Sequence, residues 1–265
     1  MKKMDLNLIN KVAIVCGSTQ GIGRAAAIEL SHLGASLVLV ARNEEKLKSV
    51  INELDSKNGQ KHSYVVADFT KPLELEKTLQ KWVAEGNKVN ILVNNTGGPK
   101  GGPIREAHTS EFIDTFNQHL ICNHILVQNL YPLMREEGYG RIINVISTSV
   151  KQPLNNLGVS NTIRGAVASW SKTLANELGE FNITVNNVLP GATNTDRLQS
   201  LAKVKSDKVN KSFGDILEGM ASESPMKRIA EPEEVAAAIA FLASPAAGYI
   251  NGINIPVDGG RTKSL

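Results

Sequence analysis

Residues 11–23 read KVAIVCGSTQGIG and lead into RAAAIEL at residues 24–30. The β-branched apolar run predicts a buried strand, and the alanine-rich segment after it favours a helix. Between them, Gly17, Gly21 and Gly23 allow a tight turn, close approach of the backbone to a ligand and close packing of helix on strand. A strand that turns into a helix N-terminus presents backbone N–H groups and a positive dipole end, which together favour a bound diphosphate. Taken alone, the three glycines are also compatible with a plain turn.

The composition is that of an ordinary globular protein. Of its residues, 42% are hydrophobic and 21% are charged, fractions typical of soluble globular proteins. The length of 265 residues suits one large α/β domain, which we predict over residues 1–265. A net charge of +3, without basic residues clustered among aromatic ones, argues against a nucleic-acid partner. No apolar run reaches the ~18–20 residues of a membrane span, and the first residues lack the apolar core of a signal peptide. We expect a cytoplasmic protein with no membrane partner.

The two cysteines predict neither a disulfide framework nor a metal site. Cys16 and Cys122 are too few for a secreted disulfide scaffold, and a reducing cytosol is the default for such a chain. Cys122 lies near His119 and His124, but residues two apart on a helix point in different directions and cannot converge on one ion. We therefore expect no bound metal.

Apolar runs alternate with helical patterns along the chain, which predicts parallel strands with helices on both faces of the sheet. The predicted strands are residues 12–15, 36–40, 63–66, 90–93, 141–146, 184–188 and 253–257. The predicted helices include residues 44–54, 73–84, 110–134, 159–178 and 232–242.

Residues 194–225 depart from this alternation. The segment is polar and lysine-rich, and it follows Pro190 and Gly191 at the end of the sixth predicted strand. Ligands of open α/β sheets bind beyond the carboxyl ends of the strands. We interpret the segment as a lid over the substrate, and a solvated pair of surface helices is the alternative.

Several short motifs follow the glycine turn in a fixed order between residues 8 and 260. They are Asp68 after the third strand, NNTG at 94–97, GRIINVIS at 140–147, NVLPG at 187–191 and VDGG at 257–260. Together with the turn, they resemble the short-chain dehydrogenase/reductase family, and the layout is similar to its 3-oxoacyl-carrier-protein reductases and its sugar or alcohol dehydrogenases. The resemblance implies a Rossmann-type doubly wound sheet with strand order 3-2-1-4-5-6-7, a nicotinamide cofactor, a small-molecule substrate and a homotetramer.

The resemblance also implies which residues bind the cofactor. Carried over position by position, they are Gly17, Ser18, Gly21, Ile22, Gly23, Arg42, Asp68, Asn95, Gly97, Arg164, Pro190, Gly191 and Thr195. After the second strand, Ala41 supplies no acid for a ribose 2′-hydroxyl, whereas Arg42 supplies a cation for a 2′-phosphate. This favours NADP(H) over NAD(H), and a solvated arginine at a helix start is the alternative.

The catalytic positions depart from the family pattern. The family uses a serine, a Tyr-x-x-x-Lys pair and an asparagine on the preceding helix. Ser147 matches the serine, but Ser160 stands in the place of the tyrosine and Arg164 in that of the lysine. His119 stands where the asparagine is expected. Three of the four implied catalytic positions are therefore changed.

These changes alter the proton chemistry. A serine hydroxyl is a much weaker acid than a phenol, and Ser160 is too short to reach where a phenol would. Arg164 can hold a cation and donate to ribose hydroxyls, but a guanidinium does not relay protons. The ordinary pKa of histidine, ~6.5, would suit His119 for acid–base work. The alternative for His119 is the structural task of the missing asparagine at a helix kink.

Two functions follow. The first is an NADP(H)-dependent oxidoreductase that acts on a carbonyl/alcohol pair, with 3-oxoacyl compounds as one substrate class and with atypical proton delivery. The second is a catalytically impaired NADP(H)-binding sensor or structural partner. The helices predicted at 110–134 and 159–178 carry apolar residues all round, which favours their burial in a dimer of dimers.

Overall fold

The structure, a computed structural model, describes residues 4–264. Within this range seven strands, counted along the chain, form one parallel sheet in the order 3-2-1-4-5-6-7, which confirms the predicted order. The predicted single domain includes residues 1–3 and 265, which lie outside the described residues. The prediction that the first residues form no signal peptide also concerns residues 1–3. The strands are β1 (Val12–Cys16), β2 (Ser36–Ala41), β3 (Ser63–Val66), β4 (Ile91–Asn94), β5 (Gly140–Val145), β6 (Ile183–Pro190) and β7 (Asn254–Val257).

Helices cover both faces of the sheet, and alternate residues of each strand pack against the helices on opposite faces. On β1, Ala13 and Val15 pack into one apolar cluster with the helices at residues 21–32, 44–51 and 232–243, whereas Ile14 and Cys16 pack into a second cluster with those at 72–84 and 122–136. The helices in the described range are α1 (Gly21–His32), α2 (Glu44–Ile51), α3 (Pro72–Ala84), α4 (Thr109–Phe116), α5 (Cys122–Glu136), α6 (Gly158–Leu178), α7 (Asp196–Val209), α8 (Phe213–Ser222) and α9 (Pro232–Ala243).

The single helix predicted at 110–134 is two helices joined by a π-turn. Helix α4 ends at Phe116, the π-turn spans Asn117–Ile121, and α5 begins at Cys122. A π-turn inserts one extra residue into a helical turn, so that the side chains after it change direction relative to a continuous helix. The apolar pattern could not reveal this because apolar residues recur at helical spacing on both sides of the π-turn, and one inserted residue is too small a change in that spacing to be recognised.

The polar segment at 194–225 folds into helices α7 and α8 after the end of β6. An isolated bridge joins Thr193 to Ala230 across the base of this excursion, and Thr195 caps α7 by accepting a hydrogen bond from the backbone N–H of Leu198 at 3.3 Å. Among residues 4–264, none of the helices is both long enough and apolar enough to cross a membrane.

Candidate active site

A cleft of about 1730 Å³ opens along the carboxyl edge of the sheet. The first six strands all end at it, and α7 borders it on the outer side. This is the edge at which parallel α/β sheets bind ligands, because the connecting loops diverge there. The lining residues at or directly after the strand ends are Gly17, Ala41, Ala67, Asn95, Val145 and Pro190.

The glycine turn between β1 and α1 has the shape of a phosphate cradle. Gly17 and Gly21 have φ angles of +58° and +52°, a region that favours glycine. A Cβ atom on Gly17 would lie 2.6 Å from the backbone oxygen of Asn95. The side chain of Asn95 donates hydrogen bonds to the carbonyl oxygens of Cys16 and Gly17, each at 3.3 Å, and thus ties the turn to β4. Helix α1 has no acidic residue in its first turn, so its N-terminus suits an anion.

Two residues predicted at the cofactor surface lie beneath it. The side chain of Ser18 is fully buried, and Gly23 packs against the strand: a Cβ there would lie 2.2 Å from the carbonyl oxygen of Gly17. Neither residue lines the cleft. Ser18 and Gly23 therefore lie behind the turn. Ser18 fills space there, and Gly23 allows the helix to approach the turn closely. The other predicted cofactor residues, Gly17, Gly21, Ile22, Arg42, Asp68, Asn95, Gly97, Arg164, Pro190, Gly191 and Thr195, all line it.

The end of the cleft next to β2 is basic. Arg42 and Lys46 both line it, and Lys46 was not anticipated from the sequence. The backbone N–H of Thr70 lowers the pKa of Asp68, and the charge of Arg42 lowers it further. The nearest acid after Arg42 in the chain, Glu44, accepts a hydrogen bond from Tyr64 Oη at 2.8 Å and pairs with a lysine, away from the cleft lining.

Ser147, Ser160 and Arg164 line the cleft together near the end of β5. The hydroxyl oxygen of Ser147 accepts a hydrogen bond from the backbone N–H of Ser149 at 3.1 Å. Arg164 is 8% exposed, and its guanidinium donates a hydrogen bond to the carbonyl oxygen of Val145 at 2.8 Å. Burial, followed by the charge of Arg197, lowers the pKa of Arg164 to about 10, so its side chain stays protonated at neutral pH.

His119 lies behind the cleft wall. It is 2% exposed, sits in the π-turn and does not line the cleft, whereas its neighbour Gln118 does. Its Nδ1 atom lies 2.6 Å from the hydroxyl oxygen of Thr96. Burial, and secondarily the charge of Arg164, hold the pKa of His119 well below its ordinary value, so the imidazole is neutral at pH 7. This placement does not fit the expected acid–base role and agrees with the structural alternative.

No tyrosine within residues 4–264, which hold all four of the chain, lines the cleft. Tyr139 donates a hydrogen bond to the carbonyl oxygen of Ala243 at 2.6 Å, and Tyr249 is fully exposed. No other phenol therefore takes the place that Ser160 leaves vacant. The described residues also contain no group of histidine, cysteine and acidic side chains that could hold a metal.

Arg197 is the main site residue that sequence reasoning missed. It lies in the first turn of α7, lines the cleft and donates a hydrogen bond to the carbonyl oxygen of Pro99 in the loop after β4. The only signal in the sequence was its position, two residues after the predicted cofactor residue Thr195. Arg261 and Lys263 of the C-terminal segment also line the cleft and carried no motif.

Comparison with known proteins reveals similarity along nearly the whole chain. A family profile described as Enoyl-(Acyl carrier protein) reductase matches residues 17–262. The NADPH-dependent reductase BacG of Bacillus subtilis (strain 168) is 32% identical over 258 residues, which cover 96% of this chain and 99% of that protein. A 3-oxoacyl-[acyl-carrier-protein] reductase of Staphylococcus epidermidis is 31% identical over 255 residues, covering 95% and 99% of the two chains. The solved structure of L-sorbose reductase from Gluconobacter frateurii, complexed with NADPH and L-sorbose, has a TM-score of 0.92 at 34% identity and covers 99% of this chain and 100% of its own.

Proposed function

The chain belongs to the short-chain dehydrogenase/reductase family, and we propose that it is an NADP(H)-dependent oxidoreductase acting on a small carbonyl/alcohol pair. One observation carries the proposal: the cleft has a phosphate cradle and a basic end, and it has a separate polar cluster around Ser147. The basic end follows β2 and the cluster follows β5, three strand spacings away in the sheet. At ~4.8 Å per strand this is ~14 Å, a span that suits a dinucleotide.

The residues present fit an NADP(H) molecule. The turn at Gly17 and Gly21 leaves no room for side chains and points the N-terminus of α1 at the diphosphate. Arg42 and Lys46 would hold the 2′-phosphate, and Arg164 would donate to the hydroxyls of the nicotinamide ribose. The relatives named NADPH-dependent, or solved with NADPH, support this assignment.

When bound, NADPH supplies the hydride that reduces the carbonyl carbon. The chain's own residues act on the carbonyl oxygen. Because Ser147 Oγ accepts from Ser149, its hydrogen remains free to donate to that oxygen. The protonated guanidinium of Arg164 stabilises the negative charge that develops there. A proton from water completes the alcohol, because Arg164 does not release its proton and Ser160 is a weak acid.

Helices α7 and α8 act as a lid in this proposal. Leu198, Leu201 and Val204 on one face of α7 line the cleft, and Arg197 links α7 to the loop after β4. These contacts let the lid cover the substrate and separate the reacting end of the cleft from bulk solvent. Because relatives act on a sugar in one case and on 3-oxoacyl groups in another, the substrate depends on residues of this kind.

The proposed assembly is a homotetramer of cytoplasmic chains. Ile113 and Phe116 of α4 are 57% and 37% exposed, and Tyr249 near β7 is fully exposed. These apolar surfaces lie on two separate parts of the molecule, as a dimer of dimers requires. Light scattering at micromolar concentration tests this: a monomer mass contradicts it.

A second function, a sensor or structural partner without turnover, is favoured by the three changed catalytic positions. NADPH oxidation across ketones, aldehydes and oxo acids distinguishes the two. The matched variant Ser160→Tyr with Arg164→Lys rebuilds the family's pair, and Ser160→Phe with Arg164→Lys fills the same space without a phenol. We expect turnover by the wild type and a gain on neutral ketones in the tyrosine variant alone. Tight NADPH binding without reduction of any carbonyl by either protein would establish the sensor.

A further inference from the structure

The cleft carries far more positive than negative charge. Nine basic side chains line it against three acidic ones. Of the acids, Glu106 pairs with Arg105, and Glu223 pairs with Arg261. The basic lining residues are Arg42, Lys46, Lys100, Arg164, Arg197, Lys205, Lys208, Arg261 and Lys263. A cofactor with three phosphates offsets part of this excess, at the glycine turn and at the end next to β2.

Arg164 lines the cleft at the end of β5, as Ser147 does, and Arg197 lies close enough to Arg164 for its charge to act on it. Arg164 is buried and Arg197 is half-buried, and each donates a hydrogen bond to a neutral backbone carbonyl. Neither has a carboxylate within 4.0 Å among residues 4–264. Burial lowers the pKa of both, and no acidic side chain raises either. Two neighbouring cations with no counter-ion are costly, and this cost disappears when an anion binds between them.

Arg197 is the more informative of the two. Arg164 occupies the position of the family's lysine and has the cofactor ribose as a partner, whereas Arg197 has no such assignment. One of its terminal nitrogens donates to Pro99, and its remaining N–H groups have no acceptor among the described residues. A planar fork of free N–H donors at the edge of a cleft matches a carboxylate in a bidentate arrangement.

We propose that the substrate is a small oxo acid whose carboxylate is bound by Arg197 of α7. The proposal rests on the proposed oxidoreductase function and narrows its substrate class. With the carboxylate on Arg197, the carbonyl oxygen lies near Ser147 and Arg164. The developing alkoxide then lies beside a fixed cation, which lessens the need for the acid that Ser160 does not supply. Neutral ketones and thioesters lack the group that Arg197 recognises.

Matched substrate pairs test the proposal. The kcat/KM values of 4-methyl-2-oxopentanoate and 3-oxohexanoate with NADPH are compared with those of their methyl esters, in the wild type, Arg197→Gln and Arg197→Lys. Glutamine keeps a donor for Pro99 but loses the charge, and lysine keeps both. Lys203→Gln removes a charge from an exposed position of the same helix outside the cleft lining and is the control.

We expect the wild type to prefer at least one acid to its ester, and Arg197→Gln to lower kcat/KM for that acid by ~10–100-fold. For the ester, we expect Arg197→Gln to change kcat/KM by less than threefold. We expect Lys203→Gln to leave kcat/KM unchanged for both compounds. Arg197→Lys should recover part of the loss. Equal losses on acid and ester would mean that Arg197 only fastens α7 to the loop, and a preference for the ester would also overturn the proposal.

A binding arm separates this proposal from the proposed function. Oxamate, an acid that cannot be reduced, and its neutral amide oxamide are titrated calorimetrically into the protein with and without NADP⁺. Binding of oxamate but not oxamide, lost in Arg197→Gln and kept in Lys203→Gln, supports the carboxylate site even if no carbonyl is turned over. Turnover of neutral ketones together with no binding of oxamate overturns the site and leaves the oxidoreductase function standing.

Discussion

The hydroxyl of Thr96 lies 2.6 Å from Nδ1 of His119, and this contact joins the loop after β4 to the π-turn between α4 and α5. It fixes the orientation of a buried imidazole whose Nε2 atom has no hydrogen-bond partner among the described residues. The buried, neutral ring therefore ties the π-turn to the loop after β4.

Replacement of His119 should affect stability more than chemistry. We expect His119→Asn to lower the free energy of unfolding by ~1–3 kcal/mol, because it removes the contact to Thr96 in a buried site. The pH dependence of kcat should keep its shape. Denaturant titration measures the free energy of unfolding, and a pH–rate profile measures the pH dependence of kcat. His32→Asn, at the exposed end of α1, is the control. Loss of a kcat inflection near neutrality in His119→Asn would restore His119 as the acid.

The depressed pKa of His119 gives a pH dependence with a defined sign. In the unfolded chain a histidine binds a proton as the pH falls through ~6.5, whereas the folded protein keeps His119 neutral to a lower pH. The contribution of His119 to stability is therefore present above the unfolded pKa and is lost as the pH falls. We expect the wild type to lose stability faster than His119→Asn between about pH 7 and pH 5. Parallel curves of unfolding free energy against pH for the two proteins would contradict this expectation.

Arg42 should determine the preference for NADP(H). A charged hydrogen bond contributes ~1.5–3 kcal/mol, so Arg42→Ala should weaken NADPH binding by about ten- to a hundredfold and leave NADH nearly unchanged. Lys48→Ala is the control, because Lys48 lies on the side of α2 opposite Lys46 and does not line the cleft. Fluorescence titration of both nucleotides measures the effect. Equal affinities of the wild type for NADH and NADPH would refute the assignment.

Ser147 should contribute to the chemical step. Loss of one donor to a developing oxyanion typically costs ~10²–10³ in rate, and we expect this loss in kcat for Ser147→Ala. Ser160→Ala should cost much less, because its hydroxyl is a weak acid. Single-turnover kinetics with NADPH compare the two variants. A larger loss for Ser160→Ala than for Ser147→Ala would make Ser160 the proton donor.

Gly17 should be intolerant of any side chain. Gly17→Ala combines a φ of +58° with a Cβ only 2.6 Å from the backbone oxygen of Asn95. Gly59, with a φ of +79° and open space around it, is the matched control, because its variant has backbone strain alone, ~1–2 kcal/mol. We expect Gly17→Ala to destabilise the protein by more than Gly59→Ala and to abolish NADPH binding. Similar thermal midpoints for the two variants would show that the backbone of the turn rearranges to accommodate the added methyl group.

The positions of the strands and of the phosphate turn could be predicted because their signals are local. Each strand lies within two residues of its predicted bounds, since β-branched apolar runs and the turns between them are properties of short segments. The glycines at 17 and 21 likewise reflect a backbone conformation that few other residues adopt. The boundary of α2 was less accurate, because residues 52–54 end the helix as a turn.

The candidate site was only partly predictable. Ser147, Ser160 and Arg164 do line one cleft, as the family spacing implies. The helix predicted at 110–134 concealed the π-turn, and with it the fact that Gln118 rather than His119 faces the cleft. Helical periodicity cannot detect a single inserted residue when apolar residues continue at helical spacing on both sides of it.

The sequence by itself determined the sheet, the strand order through the family resemblance, the glycine turn and the unusual residues at the catalytic positions, because these depend on residue identity and short spacing. Only the tertiary structure decided that His119 is buried and neutral, that Ser18 and Gly23 lie behind the turn, and that Arg164 and Arg197 line one cleft with no counter-ion among residues 4–264. Burial, pKa and the pairing of charges depend on which groups from distant segments meet. Arg197, for example, donates to Pro99, 98 positions away in the chain, and no local pattern records such a contact.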